Sequence, residues 1–179
     1  MRIVGGTLGG RTLHAPRGDR TRPTSERVRE ALMNILGKEF PAETQVLDLY
    51  AGAGALGMES ISRGAGHATF VDQADAACRC IRENLEALGI TGQATVVRAP
   101  VGRALERLAG PFHLVFIDPP YATDEAAATL TLLGAGSLLA AERTVIVEHD
   151  RRRAPADRYG ALARIDQRRY GDTGISFFR

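Results

Sequence analysis

The chain has 179 residues, 44% hydrophobic and 25% charged, with 23 Lys+Arg against 21 Asp+Glu and a net charge of +2. That length and mixture suit one globular domain with a real core, and no apolar run approaches the roughly 20 residues that a membrane-spanning helix needs. The N-terminus MRIVGGTLGGR lacks the apolar stretch of a signal peptide, and two cysteines without an export signal point to a reducing cytoplasm. Lys38 is the only lysine. The positive charge is therefore nearly all arginine, which grips phosphate as a bidentate fork; arginine-rich codon usage would leave the same bias.

Residues 2–14, RIVGGTLGGRTLH, read as a small hairpin with Arg2 and Arg11 exposed. A glycine-flexible, arginine-bearing hairpin suits contact with nucleic acid, and equally a cap on the core. A basic loop, APRGDRTR, follows, so residues 1–20 form a hairpin extension and 21–179 the main domain. Pro23 and Thr24 open a helix, with Thr24 as N-cap and Glu26 in the first turn. Its apolar stripe is Val28, Ala31, Leu32, Ile35 and Leu36, and Gly37 ends it. Arg27, Arg29 and Glu30 lie off the stripe, on a solvated face; following Arg22, they suggest a basic rim.

Val46 to Gly57, VLDLYAGAGALG, reads as a buried strand, a tight glycine turn and the start of a helix. Gly52, Gly54 and Gly57 stand at G-x-G-x-x-G spacing, where the backbone turns sharply and a ligand can approach the helix N-terminus. A nicotinamide dinucleotide is one reading. Asp48 argues against it, because a carboxylate aimed at the mouth of the turn repels a pyrophosphate and attracts a cationic amino group. It suits a ligand such as S-adenosylmethionine, which has an ammonium and a sulfonium and no phosphate.

A helix over 55–63 follows, ended by Gly64, then the strand HATFVD at 67–72. Asp72 stands twenty residues after Gly52, where an acid at the second strand's tip grips ribose hydroxyls. A helix over 74–88 closes at Gly89. Cys78 and Cys80 on it do not face each other, and no metal site is expected. The rest alternates: strand 94–98, helix 103–108, strand 113–118, helix 124–133, strand 144–149, a basic loop over 150–158, and strands near 161–166 and 174–178. Alternation implies an α/β fold, a mostly parallel sheet with helices on both faces, and the late strand pair suggests an antiparallel edge.

The second chemical stretch is Asp118-Pro119-Pro120-Tyr121, at the carboxyl end of a central strand. Two prolines make a rigid turn that offers acceptors, the Asp118 carboxylate and a main-chain carbonyl. A planar –NH2 group offers two hydrogens to match. Holding both draws the nitrogen lone pair toward an electrophile, and Asp118 can accept the proton lost. Tyr121 supplies a flat face on which a base can stack. An –NH2 acceptor could equally be adenine N6 in DNA or RNA or a glutamine amide. A nicotinamide oxidoreductase leaves Asp48 and the proline turn without a role, and a non-enzymatic RNA-binding module is a third class.

VLDLYAGAGALG followed by FIDPPY resembles the class I S-adenosylmethionine-dependent methyltransferases of exocyclic amines. RIVGGTLGGRTL, RPTSERVREALMNIL and the C-terminal YGDTGISFFR narrow the resemblance, over essentially the whole chain, to the RsmD family of bacterial 16S rRNA guanine-N2 methyltransferases. The resemblance implies a Rossmann-like class I fold with a seven-stranded sheet and an N-terminal hairpin. It implies S-adenosylmethionine as cofactor, held by Asp48, Ala51, Gly52, Ala53, Gly54, Asp72, Gln73 and Ala99. Asp118, Pro119, Pro120 and Tyr121 would be the catalytic turn. Arg2, Arg11, Arg22, Thr24 and Arg27 would face RNA. The implied partner is 16S rRNA in the 30S subunit or a late assembly intermediate, met by a cytoplasmic monomer that uses no metal. Two positions depart from the pattern: Arg98-Ala99-Pro100 lacks the acid that usually binds adenine, and Ala74 stands where a second acid is common, with Asp75 one place late.

Overall fold

The computed structural model describes residues 1–16, 26–120 and 124–179. Thirteen labelled elements carry the fold. The helices are α1 (Glu26–Leu36), α2 (Ala55–Ser62), α3 (Asp75–Leu88), α4 (Val101–Leu105) and α5 (Glu125–Ala135). The strands are β1 (Gln45–Leu49), β2 (His67–Asp72), β3 (Ala94–Arg98), β4 (Phe112–Ile117), β5 (Leu139–Asp150), β6 (Arg158–Tyr159), β7 (Leu162–Tyr170) and β8 (Thr173–Phe178). They form one sheet in the order β3-β2-β1-β4-β5-β8-β7-β6. The first five positions are parallel and the last three join antiparallel.

The parallel strands are apolar on both faces because helices cover both. Val46, Phe70, Phe116 and Ile146 pack with Leu32 of α1, Met58 of α2 and Ile81 of α3. The alternate residues Leu47, Val71, Val115 and Val147 pack with Val101 of α4 and Leu130 of α5. Chain order leaves β1 toward β2 on one side and reaches β4 on the other. The carboxyl ends of β1 and β4 therefore flank a topological switch point, the crevice where open α/β sheets take ligands.

The structure departs from the sequence reading in several places. The sheet has eight strands; the one beyond seven is the two-residue β6. β5 begins at Leu139, which pairs with Phe112 before the register shifts, and α4 lies over 101–105 instead of 103–108. The N-terminal hairpin has one β-bridge, Arg2 to Thr12, flanked by main-chain bonds from Ile3 N–H to the Arg11 carbonyl (3.0 Å) and from Leu13 N–H to the Met1 carbonyl (2.8 Å). Its Ile3 and Leu13 are 1% and 2% exposed and pack within the core. That packing gives α1 a second inward face. Arg29, expected in solvent, is 1% exposed and donates to the Arg2 carbonyl, while Ile35 of the expected stripe is 43% exposed. Pro23 and the Thr24 cap lie outside the described residues. Among the described residues, no helix is long and apolar enough to cross a membrane.

Candidate functional site

β1 runs into a turn of left-handed backbone, with φ 58° at Tyr50, 56° at Gly52 and 76° at Gly54. A side chain at Gly52 would meet nothing within 4 Å. Its glycine answers to φ alone, and the main chain there is open to a ligand. Gly57 has a different reason, since a Cβ would stand 2.3 Å from Phe70 and lift α2 off β2. Short bonds pin the turn. Gly54 N–H donates to the Ala51 carbonyl (2.7 Å), and Ala51 N–H to the Val71 carbonyl (3.1 Å). The buried Asn84 side chain of α3 donates to the Ala53 carbonyl (3.1 Å). Tyr50 holds its strained conformation with its hydroxyl on Thr129 of α5, 2.9 Å away.

Asp72, at the tip of β2, closes the turn from the other side. One carboxylate oxygen accepts Gly52 N–H at 2.9 Å and the other accepts Ala74 N–H at 2.8 Å. A carboxylate has about four acceptor sites, so capacity for two hydroxyls remains on this half-buried group. The adjoining loop is tied in by Ala99 N–H on the Asp72 carbonyl (3.1 Å), and Gln73 is exposed. Asp75, the acid one place late, is taken up by Arg79 and Arg98.

Asp48 is 2% exposed. Its carboxylate accepts Gly57 N–H at 2.9 Å, so it is turned beneath the glycine loop onto α2 and not out toward the mouth. Strand alternation explains this, because Asp48 shares the face of Val46. Burial pushes its carboxyl up to about 7, the nearby Asp72 charge adds to the rise, and the Gly57 hydrogen bond opposes it.

β4 delivers Asp118 beside this turn. Its N–H donates to the Leu49 carbonyl at 3.4 Å, fastening the two strand ends together. Pro119 is buried and Pro120 exposed; Tyr121 lies outside the described residues. A cavity of about 350 Å³ opens behind the turn, walled by Pro119, Pro120, Ala127 of α5, Glu148 and His149 of β5, and Arg153. The His149 ring is held by Ser176 (2.9 Å) and the Asp150 carbonyl (2.8 Å), and burial pulls its pKa below the ordinary value.

Of the expected RNA-facing residues that are described, Arg2 and Arg27 lie at the start of α1, and Arg11 does not join them. Arg2 pairs with Glu26 at 3.3 Å, at the start of α1. Arg11 donates to the Ala87 carbonyl, in the last turn of α3, at the opposite end of that helix from Asp72. Arg27 is exposed on α1, and Arg22 and Thr24 lie outside the described residues. Both cysteines are buried. Among the described residues, no group of three or more His, Cys, Asp or Glu side chains could hold a metal ion.

Sequence reasoning missed Asn84, Tyr50, Glu148 and His149. Only Glu148 and His149 left a trace, as polar residues closing the apolar run TVIV.

A family model described as conserved hypothetical protein 95 matches residues 1–179. YlbH of Bacillus subtilis (strain 168) is 36% identical over 182 residues, covering 100% of this chain and 98% of its own. "Ribosomal RNA small subunit methyltransferase D" of Escherichia coli (strain K12) is 37% identical over 150 residues, covering 84% of this chain and 75% of that protein. Among solved structures, a hypothetical protein of Thermus thermophilus, TTHA0928, superposes with a TM-score of 0.82 at 30% identity, over 99% of this chain and 98% of that one.

Proposed function

The chain belongs to the conserved hypothetical protein 95 family, the RsmD family, and on that premise we propose that it methylates the exocyclic N2 of one guanine in 16S rRNA. The observation that carries the reading is the joining of the two strand ends, with Asp118 and its proline turn fastened at Leu49 to the glycine turn. An acceptor for an amine and a cradle for a methyl donor thus share one crevice.

The residues fit S-adenosylmethionine. The open main chain at Gly52, the spare acceptor capacity of Asp72 and the lack, among the described residues, of any cationic side chain at the glycine turn to meet a phosphate suit a cationic nucleoside without phosphate. When bound, that cofactor supplies an electrophilic methyl group on a sulfonium. Ala51, Gly52, Ala53 and Gly54 hold it through the main chain. Asp72 and Gln73 take the ribose, Ala99 borders the adenine, and Asp48 favours the amino group. Asp118 and the carbonyl of Pro119 accept the two hydrogens of the guanine amine, which turns the nitrogen lone pair toward the methyl. The proton released passes to Asp118 and on to water. Tyr121 stacks on the base. In this reading Arg2, Arg22, Thr24 and Arg27 supply the RNA-facing rim. Arg11 lies away from that rim. The protein acts as a monomer in the cytoplasm, on the 30S subunit or a late assembly intermediate.

The test is transfer of labelled methyl from S-adenosylmethionine to naked 16S rRNA, to 30S particles lacking the modification, to 50S particles and to duplex DNA. The labelled nucleoside is then identified by digestion and mass. N2-methylguanosine from 30S particles is expected. Label in adenine, or none in any nucleic acid, would refute the substrate.

A further inference from the structure

The proline turn cannot by itself tell guanine from adenine, since both offer an –NH2 group. The neighbouring strand supplies what is missing. β4 and β5 run parallel with Ile117 beside Val147. Continued one residue past that last pair, the register brings the main chain of Asp118 next to that of Glu148, at the spacing of neighbouring strands, roughly 4.8 Å. Asp118 follows directly on β4, and its N–H bonds to the Leu49 carbonyl of β1, which keeps this residue in line with the strand ends. Glu148 is 7% exposed, yet it lines the cavity together with Pro119 and Pro120. Acidic side chains are seldom this buried, and this one stands at the lip of the site beside the proposed proton acceptor.

Resting on the guanine reading above, we propose that Glu148 is the specificity-determining residue of the pocket, accepting the N1–H of the target guanine while Asp118 holds the N2 amine. The edge of guanine carries these donors side by side, and acids at two neighbouring strand ends offer one acceptor to each. Adenine places a bare N1 lone pair next to its amine. A carboxylate facing that lone pair repels it, so the pair Asp118–Glu148 accepts guanine and rejects adenine. Aspartate on one strand supplies the chemistry, and glutamate on the next reads the base.

The experiment compares wild type, Glu148→Gln and Glu148→Asp on two acceptors. One is the 30S particle lacking the modification; the other is the same particle with adenine substituted at the labelled position. Binding of S-adenosylhomocysteine is measured alongside. Glu148→Gln keeps the size of the side chain, loses the charge, and can donate to adenine N1. Its guanine-over-adenine ratio in kcat/KM should fall by about tenfold to a hundredfold, with the S-adenosylhomocysteine Kd unchanged within about twofold. Glu148→Asp should keep guanine preference at a lower kcat/KM. An unchanged ratio in Glu148→Gln, whether or not both rates fall together, would overturn the inference and leave Glu148 a structural acid. Should wild type itself label no guanine, the substrate reading fails in its own arm of the experiment and takes the inference with it.

Discussion

Asp48→Asn should remove most of one pH dependence from the stability of the fold. The carboxyl of Asp48 is raised from 3.8 to about 7, chiefly by burial, with the Asp72 charge adding to the shift and Gly57 N–H opposing it. In the unfolded chain it titrates near its ordinary value. Between the two values the folded state binds the proton more tightly, so stability falls as pH rises through that window. The contribution is fully present below about 3.8 and lost above about 7. About three units at 1.36 kcal/mol each give roughly 4 kcal/mol. Asparagine keeps the shape and an acceptor for Gly57 N–H but carries no charge. Urea unfolding of both proteins across this range isolates the effect, since every other titrating group is common to both. The stability of the variant relative to wild type should climb by roughly 4 kcal/mol between the two pH limits and then level off. A difference that stays flat across the window would refute the argument that a buried carboxyl under the glycine turn is held protonated.

Asp118→Ala should lower methyl transfer by at least about a hundredfold while leaving the Kd for S-adenosylmethionine intact; normal turnover would sink the catalytic role. Asp72→Ala frees the Gly52 and Ala74 N–H groups as well as removing the proposed ribose acceptor. Its cofactor Kd, read by calorimetry, should rise by at least about tenfold, and an unchanged value counts against that role. Glu59→Ala strips the partner from Arg63 (3.1 Å, 6% and 0% exposed) and from Val4 N–H (2.8 Å). Leaving Arg63 buried and unpaired should cost about 3–5 kcal/mol in urea unfolding, and a loss below about 1 kcal/mol would show that water or a neighbour relieves the charge.

The strand ends and the glycine turn were legible because each is local. Gly52, Gly54 and Asp72 stand at spacings set by a strand–turn–helix unit, and the two prolines after Asp118 announce a rigid turn. Strand alternation also carried the sheet, since buried parallel strands leave continuous apolar runs such as HATFVD and HLVFID. What stayed hidden was made by packing between distant segments. Arg29 looks like a surface residue until Met1 and Arg2 fold over α1; its one local sign is Met33, four residues on and equally buried. Asn84 is an ordinary helix residue until His14 and Ala53 meet it from two sides. The orientation of Asp48 was misjudged for a related reason. Its face of the strand is covered by α2, and the covering helix supplies the N–H that draws the carboxylate inward.

The same geometry puts three acids in three different surroundings. Asp48, Asp118 and Glu148 share one face of three neighbouring strands, as the registers Asp48–Phe116 and Ile117–Val147 require. Their depth differs. Asp48 lies two residues below the level of Asp118, under a helix, where ionisation is penalised. Asp118 stands at the strand end, half-buried, where a carboxylate can accept a proton and pass it to water. Glu148 is level with it on the next strand, at the wall of the cavity. A single row of carboxylates would repel itself; staggering one member beneath the turn, in a site that favours its neutral form, relieves that repulsion. The buried acid is thereby set apart from the two at the crevice mouth, where, on the proposed reading, an amine and a cationic methyl donor would meet.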